Sequence, residues 1–311
     1  NNLLNRNNSL ATKLNLKGYD LREEGDNLNM NISGYQVVRN NEDNKTAPVT
    51  LPYVSYSSNQ YEYKNTNYKN YYNFYNIFRN TTTKDHARKQ QKLSHVIKSD
   101  TELYNFNSLI NFKTEMHSQT YNIEDKIIDS VSKSGAYYRF FPMTGLYIET
   151  PIRHKKFKTL INPKFSFIIN SAQSNSSKLS NEESTNNSFN LANASQLNRF
   201  TGTDKLDNSK RVNYGLNIQQ NILTIDLVQS YEFQKESDYR DEIGSKDYLS
   251  DLIGSVILSA DNNYADYNFR FNMDQSAINN QSINLSNTSK VGTSKISYFQ
   301  EKKEANSILI D

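Results

Sequence analysis

Polar and apolar residues alternate one for one along much of this chain, and nothing else in the sequence restricts its fold so tightly. Leu223, Ile225, Leu227, Tyr231 and Phe233 form an apolar parity broken only by Gln229. Thr224, Asp226, Ser230, Glu232 and Gln234 hold the other, with Val228 the one apolar intruder. The stretch that follows later is cleaner: Ala265, Tyr267, Phe269, Phe271 and Met273 alternate with Asp266, Asn268, Arg270, Asn272 and Asp274. Side chains point to opposite faces along a strand, so each stretch is a ribbon with one oily face and one wet face. The same period runs through Leu28, Met30 and Ile32; Tyr104, Phe106, Ile110 and Phe112; Phe165, Phe167 and Ile169; Tyr214, Leu216 and Ile218; and Val256 and Leu258. These ribbons are expected to span about 9–11 residues, the length that crosses a bilayer at a tilt. A short turn is expected at Asp261-Asn262-Asn263, and long polar loops from Ser171 to Ser188 and from Lys235 to Lys246. Short turns at one end and long loops at the other are the habit of membrane barrels.

Composition decides which medium the oily face meets. The mean hydropathy is −0.82, and no run approaches the roughly 20 apolar residues of a membrane helix. A barrel needs apolar side chains only on its outward parity, so low hydropathy leaves that route open. The wet parity would then face a lumen, with Thr224, Asp226, Asp266, Asn268, Arg270, Asn272 and Asp274 as candidate lumen residues. A charged row of this kind would be costly in the core of a soluble sandwich and costs little in water. The 22 Tyr and 15 Phe fall at strand period; Tyr71, Tyr72, Tyr75, Tyr137 and Tyr138 fit interfacial aromatic girdles. With only 10 Gly and 5 Pro, Asn and Asp are expected to make most turns.

Other readings find little support. The net charge of +3 is too mild to argue for nucleic acid. The absence of Cys excludes disulfides and Cys-based metal sites. His86, His95, His117 and His154 lack metal-ligand spacing and are expected at the surface or in loops. Glu182-Glu183, and Asp204 with Asp207, read as solvated loop carboxylates, with a bound divalent cation second. Ile123, Ile127, Ile128 and Val131 stand at roughly helical spacing, so a short helix or irregular loop is expected there. No constellation calls for an enzyme or a cofactor.

A series of motifs narrows the reading. Arg139-Phe140-Phe141-Pro142 and Leu146-Tyr147-Ile148-Glu149-Thr150-Pro151 are followed by Ile161-Asn162-Pro163 and Ser180-Asn181-Glu182-Glu183-Ser184. Asn198-Arg199-Phe200-Thr201-Gly202-Thr203-Asp204 leads to Arg211-Val212-Asn213-Tyr214-Gly215, and Ser250-Asp251-Leu252-Ile253-Gly254 comes later. Leu51-Pro52-Tyr53-Val54-Ser55-Tyr56 lies nearer the start. In order and spacing these resemble the LPS-assembly outer-membrane protein family (LptD): its Leu-Pro-x-x-x-Tyr, Arg-x-x-Pro, Pro-Asn-Glu-Asp-Ser, Arg-Phe-x-Gly-x-Asp-Arg, Arg-x-x-Tyr-Gly and Ser-Asp-x-x-Gly elements. Ser180 replaces Pro, Glu183 replaces Asp, Lys205 replaces Arg, and Ser209 stands where Gly is common.

The resemblance implies an all-β fold, an antiparallel transmembrane β-barrel seen as a partial barrel. Residues 1–311 would form a single barrel-domain fragment, without the family's periplasmic jellyroll and remaining strands. It implies a non-catalytic translocon integral to the Gram-negative outer membrane, inserting lipopolysaccharide into the outer leaflet. Its partners would be lipopolysaccharide, outer-membrane lipid, a plug lipoprotein of the LptE type and a periplasmic LPS bridge protein. A general porin or receptor barrel is the alternative, and a secreted β-rich adhesin a more distant one.

Overall fold

The computed structural model describes residues 9–37, 44–234, 237–239, 248–301 and 307–310. The described chain is a succession of antiparallel strands in one sheet. They are β1 (Ser9–Tyr19), β2 (Asn27–Val37), β3 (Val49–Ser57), β4 (Tyr61–Tyr63), β5 (Thr66–Phe78), β6 (Lys89–Asn105), β7 (Ser108–Ile128), β8 (Val131–Glu149) and β9 (Ile152–His154). Then come β10 (Thr159–Asn170), β11 (Lys210–Gln220), β12 (Leu223–Glu232), β13 (Leu252–Ala260), β14 (Asn263–Asn272), β15 (Ala277–Thr288), β16 (Thr293–Glu301) and β17 (Ser307–Ile310). Each strand pairs with its neighbours in sequence, except that β3 and β4 both pair with β5, and β8 and β9 both pair with β10. Those two pairs are single staves interrupted in the middle. No pairing joins β1 to β17 among the described residues, so the sheet is an open, partial barrel.

The connections sort by end. At one end all the described connections are short: 20–26, 64–65, 106–107, 155–158, 221–222, 261–262 and 289–292, whereas the opposite end mixes the short turns 129–130 and 273–276 with the long connections. The other end carries 79–88 and 171–209; most of the loop expected over Lys235–Lys246 lies outside the described residues. Hairpin turns that match sheet twist need positive φ at both central residues. Phe106 (φ 49) with Asn107 (φ 59), and Asp129 (φ 52) with Ser130 (φ 63), supply them without glycine.

Several sequence expectations are corrected. Tyr104–Phe112 is not one strand: the alternation runs through the Phe106-Asn107 turn between β6 and β7. There is no helix at Ile123–Val131. Ile123 pairs with Gly135 and Lys126 with Lys133, so β7 carries one extra residue, with Asp125 at φ 55. That bulge shifts the parity by one and imitates helical spacing. β6, β7 and β8, at 17, 21 and 19 residues, are far longer than expected. Neighbouring tyrosines cannot share a girdle, because strand period puts them on opposite faces. Tyr72 and Tyr138 face outward and are exposed, whereas Tyr75 is buried on the inner side.

The two faces differ in kind. Leu93, Ile97, Phe112, Met116, Phe140, Phe165, Phe167, Tyr214, Leu258, Leu285 and Ile296 stand exposed on the outer face. An apolar surface extending over so many strands exceeds the few hundred Å² that soluble monomers show. The inner face is polar and is partly covered by the connection 171–209, which turns back inside the curve of the sheet. This segment sits where a solvated loop was expected.

Candidate functional site

The inner segment is fixed by buried charge. Cross-strand register places Tyr75, Lys92 and Tyr121 in one row on the inner face of β5, β6 and β7. Lys92 is wholly buried and donates from Nζ to Asp204 at 2.7 Å, to Thr203 Oγ1 at 2.7 Å and to the Glu183 carboxylate. Asp204 also accepts from the Tyr75 hydroxyl (3.1 Å) and from the backbone N–H groups of Glu182 (2.8 Å) and Glu183 (3.1 Å). Beside it, Arg79 holds Glu182 through both oxygens, at 3.0 and 2.6 Å. Arg139 on β8 gathers Gln119 Oε1 (2.7 Å), the Tyr121 hydroxyl (2.9 Å) and the carbonyls of Thr203 (2.8 Å) and Asp204 (2.9 Å).

A second knot lies against β11 and β12. Asp207 is fully buried and accepts from Arg199 Nε at 2.6 Å and Arg211 Nη1 at 3.0 Å. Arg199 also pairs with Glu232 at 2.7 Å and lies 4.2 Å over the ring of Tyr239. Arg79, Lys92, Arg139, Arg199 and Arg211 face Glu182, Glu183, Asp204, Asp207 and Glu232, so cations and carboxylates balance. Balance matters because an uncompensated buried charge costs several kcal/mol. Burial of Asp207 pushes its carboxyl up, but the Arg199 and Arg211 guanidiniums outweigh this and hold it below the usual range. For Glu182 burial is likewise outweighed, here by hydrogen bonds from His86 and Arg79.

Apolar contacts fill the gaps. Phe189, Ala194 and Phe200 pack with Tyr239 and Ile253, and Val228 closes on this cluster. The one apolar intruder of the β12 alternation thus serves the inner segment. Gln229, which breaks the outer parity, accepts a hydrogen bond from the Tyr214 hydroxyl at 2.6 Å. Gly202 has φ +68, and a Cβ there would stand 2.5 Å from the Glu183 carbonyl oxygen; only glycine fits.

The sequence motifs converge here unequally. Arg139, Asn181, Glu182, Ser184, Arg199, Phe200, Gly202, Asp204 and Arg211 all meet at this interface. The Asn181 side chain brackets Ser184, whose Oγ accepts from the N–H groups of Asp204 and Lys205, both at 2.9 Å. Pro52 sits in a bulge of β3, between the Thr50–Ile77 and Tyr53–Tyr75 pairs, the kind of position where a residue without an N–H is tolerated in a sheet. Pro142 lies on β8 with its carbonyl accepting from Ser171 N–H at 2.9 Å, and Pro151 interrupts the β8–β9 stave. Gly215 lets β11 approach the Leu227 carbonyl, and Gly254 lies under the Phe269 ring. Ser250 bonds Ser230 through Oγ at 2.8 Å, and Asp251 holds Arg270 Nε at 2.6 Å.

Of the candidate lumen residues, register places Thr224, Asp226, Asp266, Asn268 and Arg270 on the strand face shared with Val228 and Ile253. Asn272 ends β14, and Asp274 lies in the turn after it rather than on the wall. The carboxylate pairs Glu182-Glu183 and Asp204/Asp207 are not solvated, since wall cations occupy them. No group of three or more His, Asp or Glu placed to hold a metal occurs among the described residues. His117 is buried on β7, 3.1 Å from Glu115, not at the surface. Arg79, Lys92 and Gln119 carry no sequence signal of this role, and Glu232 stands out only as one of the wet parity of β12. A charge on the wet parity looks the same whether it meets water or a partner a hundred residues away.

Beside these contacts lies a cavity of about 860 Å³, lined by the inner segment and by β3 and β5–β8 and reaching Asn27, Gln60 and Asn67 at the short-turn end.

The structure of BamA from Haemophilus ducreyi lacking POTRA domains 1-3 is similar at a TM-score of 0.33 with 9% identity, over 98% of this chain and 69% of that one. No curated protein sequence matches the chain. The family model for LPS transport system D matches residues 1–310. A match over essentially the whole sequence shows that the chain belongs to the LptD family of lipopolysaccharide transport.

Proposed function

We propose that the chain is a non-catalytic outer-membrane translocon that passes lipopolysaccharide into the outer leaflet. The observation that carries this reading is the contrast of faces: a lipid-compatible apolar exterior around a polar interior that holds a water-accessible cavity. Saccharide and phosphate would travel on the inner side, where hydroxyls and amides replace water. Acyl chains would keep to the apolar exterior. Thr224, Asp226, Asp266, Asn268, Arg270 and Asn272 would line the part of the wall that the inner segment leaves uncovered. A plug lipoprotein and a periplasmic LPS bridge protein are the expected partners, and residues 1–311 are taken as one barrel domain.

The test is depletion of the protein in its native cell. Lipopolysaccharide reaching the surface should fall while it accumulates at the inner membrane, and the chain should remain in carbonate-washed outer membranes. Unchanged surface lipopolysaccharide, or recovery of the chain in the soluble fraction, would sink the proposal.

A further inference from the structure

We infer that the end of the β9–β10 hairpin binds anionic phospholipid headgroups of the leaflet at the short-turn end. Arg153, Lys155, Lys156 and Lys158 fall within one short stretch and are all exposed. No Asp or Glu occurs between Glu149 and Glu182, and none of these four cations makes an ion pair among the described residues. The neighbouring β11–β12 turn offers no carboxylate either, since the chain has none from 208 to 225. Arg153 and Lys158 line a pocket of about 430 Å³ whose other walls are Leu160, Gln219, Gln220 and Asn221, so nothing there offsets their charge. Like charges this close repel one another, and an anion removes that cost. Lys158 has φ 50, where Gly or Asn is favoured, so conformation does not account for a cation at that position. The other turns at this end differ. The 20–26 turn carries Asp20, Glu23, Glu24 and Asp26 against Arg22, the 261–262 turn carries Asp261, and 106–107 and 221–222 are uncharged. The positive charge therefore belongs to this hairpin and not to the rim as a whole.

The depth of these lysines names the partner. The outer parity of β10 is apolar from Ile169 through Phe167, Phe165 and Pro163 to Ile161, and from Phe167 onward it pairs with Val212, Tyr214, Leu216 and Ile218 of β11. At about 3.3 Å per residue this stripe runs about 26 Å along the strand, or about 20 Å in height at a tilt of about 40°. The apolar band of a membrane barrel is about 25 Å tall, so the stripe fills most of it. It ends at the row Ile152, Ile161 and Ile218 and gives way to His154, Thr159 and Gln220. Lys158 lies beyond Ile161 by about 8 Å in height, the depth of a headgroup layer about 5–8 Å thick. Phe157 is exposed, stacks on His154 at 4.8 Å and has Lys156 Nζ 5.8 Å from its ring centre. An aromatic ring at the apolar boundary with lysines just past it is an arrangement that anchors in the interface of a bilayer, and the anion which that layer offers is the lipid phosphodiester. An acidic protein segment would match the lysines but not the apolar stripe that ends beside them. Short turns of bacterial barrels face the periplasm, so the lipid belongs to the periplasmic leaflet.

The experiment uses a fluorescent reporter, which is unambiguous because the chain has no Trp. The full chain carrying I152W, on the outer parity beside the lysines, is reconstituted in phosphatidylcholine vesicles containing either brominated phosphatidylglycerol or brominated phosphatidylcholine, and quenching is titrated for both. Phosphatidylglycerol should be enriched beside the reporter by about fivefold, the effect of one lysine contact with an anionic surface. The enrichment should vanish in I152W/K155Q/K156Q/K158N, whose folding heat-modifiability on gels checks directly. It should also be absent for L258W, a reporter on the outer face of β13 near the Asp261 turn. Equal quenching by the two lipids at I152W, the result an acidic protein partner would give, would overturn the site, as would enrichment that survives the lysine substitutions. Absence of quenching by either lipid would remove the outward placement and the proposal with it. The site does not depend on lipopolysaccharide delivery, so this test and the depletion test fail independently.

Discussion

Asp207→Asn isolates the charge knot that holds the inner segment to β11 and β12. Asp207 is fully buried, with Arg199 at 2.6 Å and Arg211 at 3.0 Å. Removing one member of a buried pair costs about 3–5 kcal/mol, because the remaining charge stays desolvated. Here Arg199 keeps Glu232 at 2.7 Å and Arg211 keeps Ser209 Oγ at 2.7 Å, which argues for the lower end. At 1.4 kcal/mol per factor of ten, about 3 kcal/mol corresponds to roughly 150-fold more frequent opening. Amide hydrogen exchange reads this locally, since segments open with their own free energies. Amides over 196–209 should lose about two decades of protection while those of β6 and β7 hold theirs. Asp226→Asn, on the uncovered wall, should leave the segment's exchange within about threefold of the parent, a change of about 0.6 kcal/mol. Unchanged protection over 196–209, or equal loss in both variants, would refute the claim that buried charge pairing fixes the segment.

Three further outcomes are expected. Gly202→Ala should destabilise the docked segment by about 1–3 kcal/mol, seen as faster proteolysis between 181 and 209; parent-like resistance would contradict the close approach to Glu183. Phe269→Arg should weaken assembly in lipid by about 2–4 kcal/mol near the midplane, with Asn268→Arg tolerated; equal damage in a vesicle folding assay would reverse the faces. Acid should release the segment: Glu182 and Asp207 are held below their ordinary values, so their contribution is complete only above about pH 5, beyond the unfolded values, and is lost as pH falls through the lower folded values. Limited proteolysis should show protection from pH 5 to 8 and cleavage over 171–209 near pH 3; cleavage already at pH 6 would exclude these carboxylates as the cause.

The sheet was legible in the sequence because its cause is local. Tyr267, Phe269 and Phe271 alternate with Asn268 and Arg270, and β14 follows them residue for residue. The exceptions are equally instructive. A bulge at Asp125 and a glycine-free turn at Phe106-Asn107 preserve or shift parity without leaving a composition signal, so one reads as a short helix or irregular loop and the other as strand. The inner segment could not be read. Glu182, Glu183, Asp204 and Asp207 sit among Ser, Asn and Thr, as solvated loop residues do. What buries them are Arg79, Lys92 and Arg211, brought near by a curvature that no local pattern encodes. The motif residues pointed to the right stretch, but not to the partners.

The inner segment works as a buckle. Tyr75 and Lys92 reach it from strands made before it, Arg79 from the connection between β5 and β6, and Arg211 and Glu232 from strands made after it. Neither half of the wall satisfies these charges until it meets the segment between them. A stave that slipped by one residue would also turn Lys92 to the oily side and bring Leu93 against Asp204. Fastening therefore proofreads registration: the carboxylates engage only when early and late staves are both correctly threaded.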